Sequence, residues 1–234
     1  ALSSAASDVY KRQVVQISLP NYYGLSMKGY NQAHEHVSFN DKLRALNEKQ
    51  TYAYLDQKDT RLFYKLYFSV LDYVNALEQI IPNKKIDPNN YIEPDELVNL
   101  IEVFWKEKDR FIDGYVQKNP LNLTYRNLNI IKDFKYGMRK NFLLAVYEKN
   151  YTVLNDEGIN YMVKGLNENL DKFIPAEKTP MLIQTAIMPF NGMIIYDGFI
   201  STADMQLSQE LVSKAFEDYS YGQKIYSLLP KNMN

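Results

Sequence analysis

The spacing of the apolar residues changes at Gly137, and this change constrains the fold more than any other feature of the chain. Before Gly137, apolar residues recur every three or four positions, as on the buried face of a helix. After it, short runs rich in β-branched and aromatic residues alternate with turn residues. The sequence therefore predicts an α+β fold. An N-terminal helical half is followed by an antiparallel β-meander, forming a small barrel or strongly twisted sheet, with a C-terminal helix.

Several helices are expected before Gly137. The clearest apolar stripe comprises Leu62, Phe63, Leu66, Tyr67, Val70, Leu71, Val74 and Leu77. A weaker pattern predicts an earlier helix from Phe39 that carries Leu43, Leu46 and Tyr54. Further helices are expected from Pro94, around Phe111 to Val116, and after Thr124. The expected N-caps are Ser38 or Asn40 for the first helix, Asp59 or Thr60 for the second, and Thr124 for the last.

Five strands are expected after Gly137, and the last two form the clearest local feature. Asn191-Gly192 joins two apolar runs, 181–189 and 193–200, and both residues tolerate positive φ, so a type I′ hairpin is predicted. The other expected strands cover 142–147, 151–154 and 159–163. One short helix is expected over 166–173 and another over 206–219, followed by a possible return strand at 224–229.

The organisation along the chain follows from these patterns. Residues 14–37 are irregular, with room for a short strand at Val15, Ile17 and Leu19. Residues 38–137 form the helical region and residues 138–234 the β-meander region. The junction between them is short, so we expect the two regions to pack as one unit.

Residues 3–13 match the translation of a transposase adapter used in sequencing libraries, so we exclude residues 1–13 from fold reasoning and expect them to be disordered. The native start is therefore open: it is Met27, or it precedes Val14, and a signal peptide ahead of it stays an alternative. The chain has 21 Lys against 6 Arg, and 22 Asn. Such usage is typical of an AT-rich bacterial genome, and we expect a bacterial, metagenomic source.

Composition excludes several classes of protein. The formal charge of the 234-residue chain is -1, which argues against a generic nucleic-acid clamp. Without cysteine there are no disulfides, no thiol catalysis and no zinc site with Cys ligands. No uninterrupted apolar run is long enough for a transmembrane helix. We expect a soluble, cytoplasmic protein that uses no cofactor.

Three segments in the second half of the chain resemble a known family. They are 141–154, 163–166 and 187–200, the last reading Ile-Met-Pro-Phe-Asn-Gly-Met-Ile-Ile-Tyr-Asp-Gly-Phe-Ile. This order resembles uncharacterised bacterial proteins with a "PF(K/N)G-x-IIYDG" hairpin, some of which carry metal-binding tails of the SEC-C type. Asn191 and Met193 stand where Lys is usual, and the cysteines of such a tail are absent. The resemblance implies a fold and no activity.

Tyr196-Asp197-Gly198 is the most prominent polar feature in an apolar stretch. One hypothesis makes Asp197 a catalytic carboxylate, with a partner among Glu148, Asp156, Asp171 and Glu177. The alternative is that Asp-Gly forms a bulge or turn in which the Asp side chain bonds the local backbone. We favour the bulge.

Basic and aromatic residues near the end of the helical half suggest a binding surface. Cations interleaved with aromatic rings can hold single-stranded nucleic acid, and the candidate binding residues are Lys132, Lys135, Tyr136, Arg139, Lys140 and Tyr196. The competing interpretation is that a helix C-terminus attracts these cations through its dipole. Similarly, the aromatic residues of the helices, from Phe63 to Trp105, are either core or the lining of a pocket.

His34 and His36 are the only histidines, and on a strand they would share one face and could ligate a metal. A solvated loop is the more economical interpretation, and we expect no metal. No phosphate-binding loop, nucleophile elbow or zinc-protease motif is present. The favoured hypothesis is thus a non-enzymatic interaction or regulatory module that binds protein or nucleic acid. The alternative is a hydrolase with carboxylates around Asp197.

Overall fold

The structure is a computed structural model that describes residues 13–16, 53–202 and 207–230. The helices in these ranges are α1 (Gln57–Glu78), α2 (Pro94–Lys106), α3 (Lys108–Lys118), α4 (Tyr125–Asp133) and α5 (Gln209–Tyr221). The strands are β1 (Gln13–Gln16), β2 (Met138–Tyr147), β3 (Thr152–Asp156), β4 (Ile159–Lys164), β5 (Met181–Phe190), β6 (Met193–Thr202) and β7 (Gln223–Ile225). Short 3-10 helices cover Phe134–Tyr136, Leu170–Lys172 and Ala176–Lys178. The predicted α+β class, with helices first and a C-terminal helix, is confirmed.

The strands form one mixed sheet in the order β1-β6-β5-β2-β3-β4-β7. Strands β4 and β6 also pair in parallel, with Val163 opposite Ile194 and Lys164 opposite Ile195. This pairing brings distant strands of the order together, so the sheet twists into a ring that leaves fewer open edges. The expected strong twist is confirmed. A sequential meander holds only for β2, β3 and β4, because β5 pairs with β2 rather than with β4.

The hairpin between β5 and β6 forms as predicted. Asn191 and Gly192 have φ values of 48° and 78°, the positive values that a type I′ turn requires. The Asn191 side chain donates a hydrogen bond from Nδ2 to Oδ1 of Asp59, at 3.1 Å. The hairpin tip is thereby attached to the first turn of α1.

The buried apolar residues form one large cluster that runs from Leu55 to Ile200 and joins the helices to the sheet. Helix α1 lies within it, because six of the eight residues of its predicted apolar stripe are buried, whereas Leu62 is partly buried and Leu77 is 45% exposed. A smaller cluster is formed by Ala145 of β2, Val153 of β3 and Met162 of β4, one residue from each strand. Tyr219 of α5 packs against this second cluster. The sheet is therefore covered on two faces.

Two predictions at the start of α1 are wrong. The N-cap is Asp56, whose Oδ1 accepts a hydrogen bond from the Asp59 backbone N–H at 2.7 Å, so Asp59 and Thr60 lie inside the helix. Tyr54 is not helical, since it forms a parallel bridge with Gly165. Backbone hydrogen bonds join the segment around Tyr54 to Gly165 at the end of β4. They use backbone groups that a helix would otherwise need. The remainder of the predicted 39–54 helix lies outside the described residues.

Other boundaries differ modestly from expectation. In place of one helix over 166–173 there is only the 3-10 turn at 170–172, because the bridge to Tyr54 holds the chain extended at Gly165. The short N-terminal strand is found at 13–16, paired with the end of β6, and its first residue is the last one that we had assigned to the adapter. Thr124 caps α4, as predicted. Among the described residues, no helix combines the length and apolar character needed to span a bilayer.

Candidate binding site

Asp197 lies in a bulge of β6. Thr185 pairs with Ile200 and Ile187 pairs with Tyr196, so three residues of β6 face the single residue Ala186 of β5. Gly198 accommodates this excess with a φ of 92°. The Asp197 side chain is fully buried, and its Oδ1 accepts a hydrogen bond from the Phe199 backbone N–H at 3.1 Å. The predicted bulge, with the Asp side chain bonding the local backbone, is confirmed.

The carboxylate of Asp197 is surrounded by donors. The hydroxyl of Tyr67, on α1, donates to Oδ2 at 3.2 Å, in addition to the Phe199 N–H that donates to Oδ1. Thr185 instead directs its hydroxyl proton to the Phe199 carbonyl at 2.8 Å, which leaves its contact with Asp197 long, at 3.5 Å. Burial raises the pKa of Asp197, and the positive charge of Arg139 opposes that rise.

A chain of hydrogen bonds leads from Asp197 toward the surface. The indole Nε1 of Trp105 donates to the Tyr67 hydroxyl at 3.3 Å, and this hydroxyl donates onward to Asp197. Burial, followed by the charge of Asp197, holds the pKa of Tyr67 well above its ordinary value. Tyr67 is therefore a neutral donor that links α1, α2 and β6.

Arg139, near the start of β2, is buried with an incomplete set of partners. Only 3% of its side chain is exposed, and its Nε donates to Oε1 of Glu102 at 3.0 Å. Its Nη1 lies 3.9 Å from Oδ2 of Asp197, too far for a hydrogen bond. Among the described residues nothing accepts a hydrogen bond from Nη1. A buried donor without an acceptor costs about 1–3 kcal/mol, and the attraction of the nearby Asp197 charge offsets part of that cost.

Arg139 also lines a surface pocket of about 380 Å³, together with Glu102, Val103, Trp105 and Lys106. We call it the α2–β2 pocket, since four of these residues lie on α2 and Arg139 lies on β2. Its wall combines an aromatic ring and a valine with two cations and one carboxylate. Asp197 lies behind Arg139 rather than in the wall. The geometry suits binding of a small group that presents an acceptor.

The remaining members of the predicted basic surface do not come together. Lys132 lies in the last turn of α4, with its Nζ 5.7 Å from the centre of the Tyr125 ring. Lys135 forms an ion pair with Asp113, and Lys140 forms one with Asp156. Tyr136 is 48% exposed. The run is thus divided among three carboxylates and two aromatic rings, since Lys140 also lies over the ring of Phe142.

Tyr196, another predicted binding residue, is buried in the core, where burial raises its pKa well above the ordinary value. It cannot touch a ligand without rearrangement of the sheet. Most of the helical aromatic residues are also in the core. Trp105 is both a core residue and a pocket residue, because it is nearly buried and also lines the α2–β2 pocket.

Two of the four carboxylates expected as partners of Asp197 interact with other groups. Glu148 accepts hydrogen bonds from Tyr219 and Lys224, and Asp156 pairs with Lys140. Glu177 lies in the exposed 3-10 turn at 176–178, and one oxygen of Asp171 is buried without a partner among the described residues. The carboxylate linked to Asp197, through Arg139, is Glu102.

Sequence reasoning missed Glu102, although a signal was present. Glu102, Trp105 and Lys106 stand at i, i+3 and i+4 of a helix, so they share one face. Nothing in the sequence joins this face to Arg139.

His34 and His36 lie outside the described residues, so the structure does not bear on the metal hypothesis there. Where the structure describes the chain, no group of three His, Cys, Asp or Glu side chains is arranged to hold a metal ion.

The fold and the site define an α+β protein with a charged surface pocket backed by a buried polar network. No protein-family model matches the chain, no curated protein matches it, and no solved structure does. The function is therefore argued from the pocket itself.

Proposed function

We propose that this protein is a non-enzymatic interaction module that binds a protein partner through the α2–β2 pocket. One observation carries the proposal: Arg139 lines this pocket beside Glu102, and its guanidinium is held there by the carboxylate of Glu102, whose side chain is 41% exposed. A partner that supplies an acceptor can take the place of Glu102 on this guanidinium. The proposal keeps the bacterial, cytoplasmic setting that the composition led us to expect.

The surroundings of Asp197 favour binding over hydrolysis. A general acid or base must come within hydrogen-bond reach of the proton that it transfers. Asp197 is fully buried, and its oxygens already accept hydrogen bonds from Tyr67 and Phe199. We therefore assign Asp197 a structural role, in which it fixes the Tyr67 hydroxyl and balances the charge of Arg139.

The distribution of charge favours a protein over a nucleic acid. Binding to nucleic acid depends on several cations that are free to neutralise phosphates. Lys135 and Lys140 are engaged by Asp113 and Asp156, and Arg139 is engaged by Glu102. With a formal charge of -1, the chain also lacks an overall attraction for polyanions.

Selection from a random-peptide display library on the immobilised full chain tests the proposal. Val103→Trp fills the pocket, and Lys106→Glu reverses a charge at its exposed rim. Tyr221→Ala, at a side chain that is 87% exposed on α5, serves as the matched control. We expect enriched peptides that bind the wild type and Tyr221→Ala but lose at least tenfold in affinity for both pocket variants.

Thermal melts of each variant establish that it is folded before binding is compared. Enriched peptides that bind all four proteins equally would contradict the proposal, as would the absence of enrichment. A parallel selection with random single-stranded RNA separates the two classes of partner. Pocket-dependent enrichment of RNA alone would assign the pocket to nucleic acid instead.

A further inference from the structure

We infer that the α2–β2 pocket takes a carboxylate group, which Arg139 binds in exchange for the carboxylate of Glu102. This inference rests on the proposed function, and it specifies the chemistry of the group that the partner presents. It concerns a carboxylate from either the C-terminus or an acidic side chain of a peptide.

The first support is the geometry of the guanidinium. Arginine presents its donors in a planar fork that matches the two oxygens of a carboxylate. In this protein the fork is held from two sides, since Nε donates to Glu102 in the pocket wall and the buried Nη1 faces Asp197. The fork is thus positioned before the ligand arrives, and a ligand in the pocket approaches it from the side that Glu102 occupies.

The second support is Glu102 itself, which acts as an internal occupant. Its carboxylate already sits on Arg139, yet 41% of its side chain is exposed, so it can rotate into solvent when an incoming carboxylate takes its place. An incoming carboxylate replaces one negative charge by another. The charge around Arg139 and the buried Asp197 is therefore conserved through the exchange.

The same balance disfavours phosphate. Asp197 already places a carboxyl group 3.9 Å from Nη1, and a doubly charged anion would be repelled by it more strongly than a carboxylate is. The walls of Trp105 and Val103 fit a short aliphatic stem, and Lys106 at the exposed rim adds a further attraction for a single negative charge.

A matched pair of small probes tests the inference. N-acetylglycine and N-acetylglycinamide differ only in the carboxylate, and Trp105 is the only tryptophan of the chain, so its fluorescence and its indole N–H resonance report on the pocket. N-acetylaspartic acid α-amide provides the side-chain carboxylate, and inorganic phosphate provides the competing anion. We expect saturable responses to one or both carboxylates, and at least tenfold weaker responses to the amide and to phosphate.

The variant Glu102→Gln removes the internal competitor, so we expect it to bind the carboxylate probes at least threefold more tightly. Glu96→Gln is its control, because Glu96 lies on the same helix with a similar exposure and pairs with Lys84. We expect Glu96→Gln to bind as the wild type does. Equal responses to N-acetylglycine and its amide, a preference for phosphate, or no gain with Glu102→Gln would overturn the inference.

Failure of this inference is distinguishable from failure of the proposed function. If the peptide selection yields pocket-dependent peptides while the carboxylate probes do not bind, the proposed function stands and the carboxylate assignment falls. If neither experiment gives a pocket-dependent signal, both fall.

Discussion

Arg139 and Asp197 lie beside each other in the interior, with Nη1 of the guanidinium 3.9 Å from Oδ2 of the carboxylate. Their side chains are 3% and 0% exposed. At this separation the two groups attract each other as charges without forming a hydrogen bond. Each also depends on a second group, since Glu102 holds Arg139 and Tyr67 holds Asp197. The stability of the β2–β6 region therefore depends on a network of four side chains.

Replacement of Arg139 by Met should strongly destabilise the protein. It leaves the buried Asp197 without its compensating charge, and loss of one partner of a buried ion pair costs about 3–5 kcal/mol. Lys140→Met is the neighbouring control, because Lys140 is 41% exposed and its pair with Asp156 is a surface pair worth less than about 1 kcal/mol. Urea denaturation gives both free energies of unfolding. Similar losses in the two variants would contradict a buried role for Arg139.

The pKa of Asp197 gives a signed prediction for pH. Burial raises this pKa in the folded protein, whereas in the unfolded chain the group titrates near its usual value, about 3.9. The folded state therefore binds the proton more tightly, and the contribution of Asp197 to stability decreases as the pH rises from the unfolded pKa through the folded pKa. Asp197→Asn lacks this dependence.

The difference in free energy of unfolding between the wild type and Asp197→Asn should accordingly become smaller as the pH is raised from 4 toward neutrality. Urea denaturation at several pH values measures it, and all other titrating groups are common to both proteins. A difference that grows with pH would mean that Arg139 and the hydrogen bonds outweigh burial, and that the pKa is lowered instead.

Tyr67→Phe removes the hydroxyl that joins Trp105 to Asp197. We expect a loss of about 1–3 kcal/mol in the free energy of unfolding, because Oδ2 of Asp197 loses a donor and the Trp105 indole loses its acceptor. Since Trp105 is the only tryptophan, its emission maximum should shift as well. Tyr125→Phe is the control, at a ring that is 75% exposed, and it should leave stability and emission unchanged. Unchanged emission in Tyr67→Phe would argue against the Trp105–Tyr67 hydrogen bond.

Alanine substitutions at Gly198 and Gly192 distinguish the cost of backbone strain from the cost of steric crowding. Both have positive φ, 92° and 78°, so alanine is strained at either position, by about 1–2 kcal/mol. A Cβ at Gly198 would also lie 3.2 Å from Cδ1 of Leu166, whereas a Cβ at Gly192 would have no neighbour within 4 Å. Gly198→Ala should therefore lose more stability than Gly192→Ala in thermal or urea melts. Equal losses would show that the bulge relaxes without cost.

The elements that were predictable are those that local chemistry specifies. Pro94 and Thr124 begin their helices as expected, and Asn191-Gly192 forms its hairpin, because each depends on the conformational preference of a few neighbouring residues. The cap of α1 was mispredicted since Asp56 and Asp59 are chemically equivalent candidates. The choice between them depends on the bridge from Tyr54 to Gly165, which lies more than 100 residues further along the chain.

The candidate site shows the same division. The sequence identified Asp197, its bulge and Arg139 as residues of interest, but it could not join them. It offered four carboxylates as partners, namely Glu148, Asp156, Asp171 and Glu177, where the structure has Tyr67, Arg139 and Glu102. Those residues come from α1, α2, β2 and β6, and their meeting point depends on how the helices pack on the ring of strands. No local sequence pattern predicts such contacts between residues of four different elements.

The amino-acid sequence by itself determined the class of fold, most of the helices and strands, the hairpin turn and the bulge at Asp197, because periodicity, caps and turn residues act over a few positions. Only the tertiary structure decided the strand order, the closure of the sheet through β4 and β6, the dispersal of the basic run and the pairing of Arg139 with Glu102 beside the α2–β2 pocket. These features arise from contacts between residues that are distant in sequence, and they are selected by the burial of the whole core rather than by any single segment.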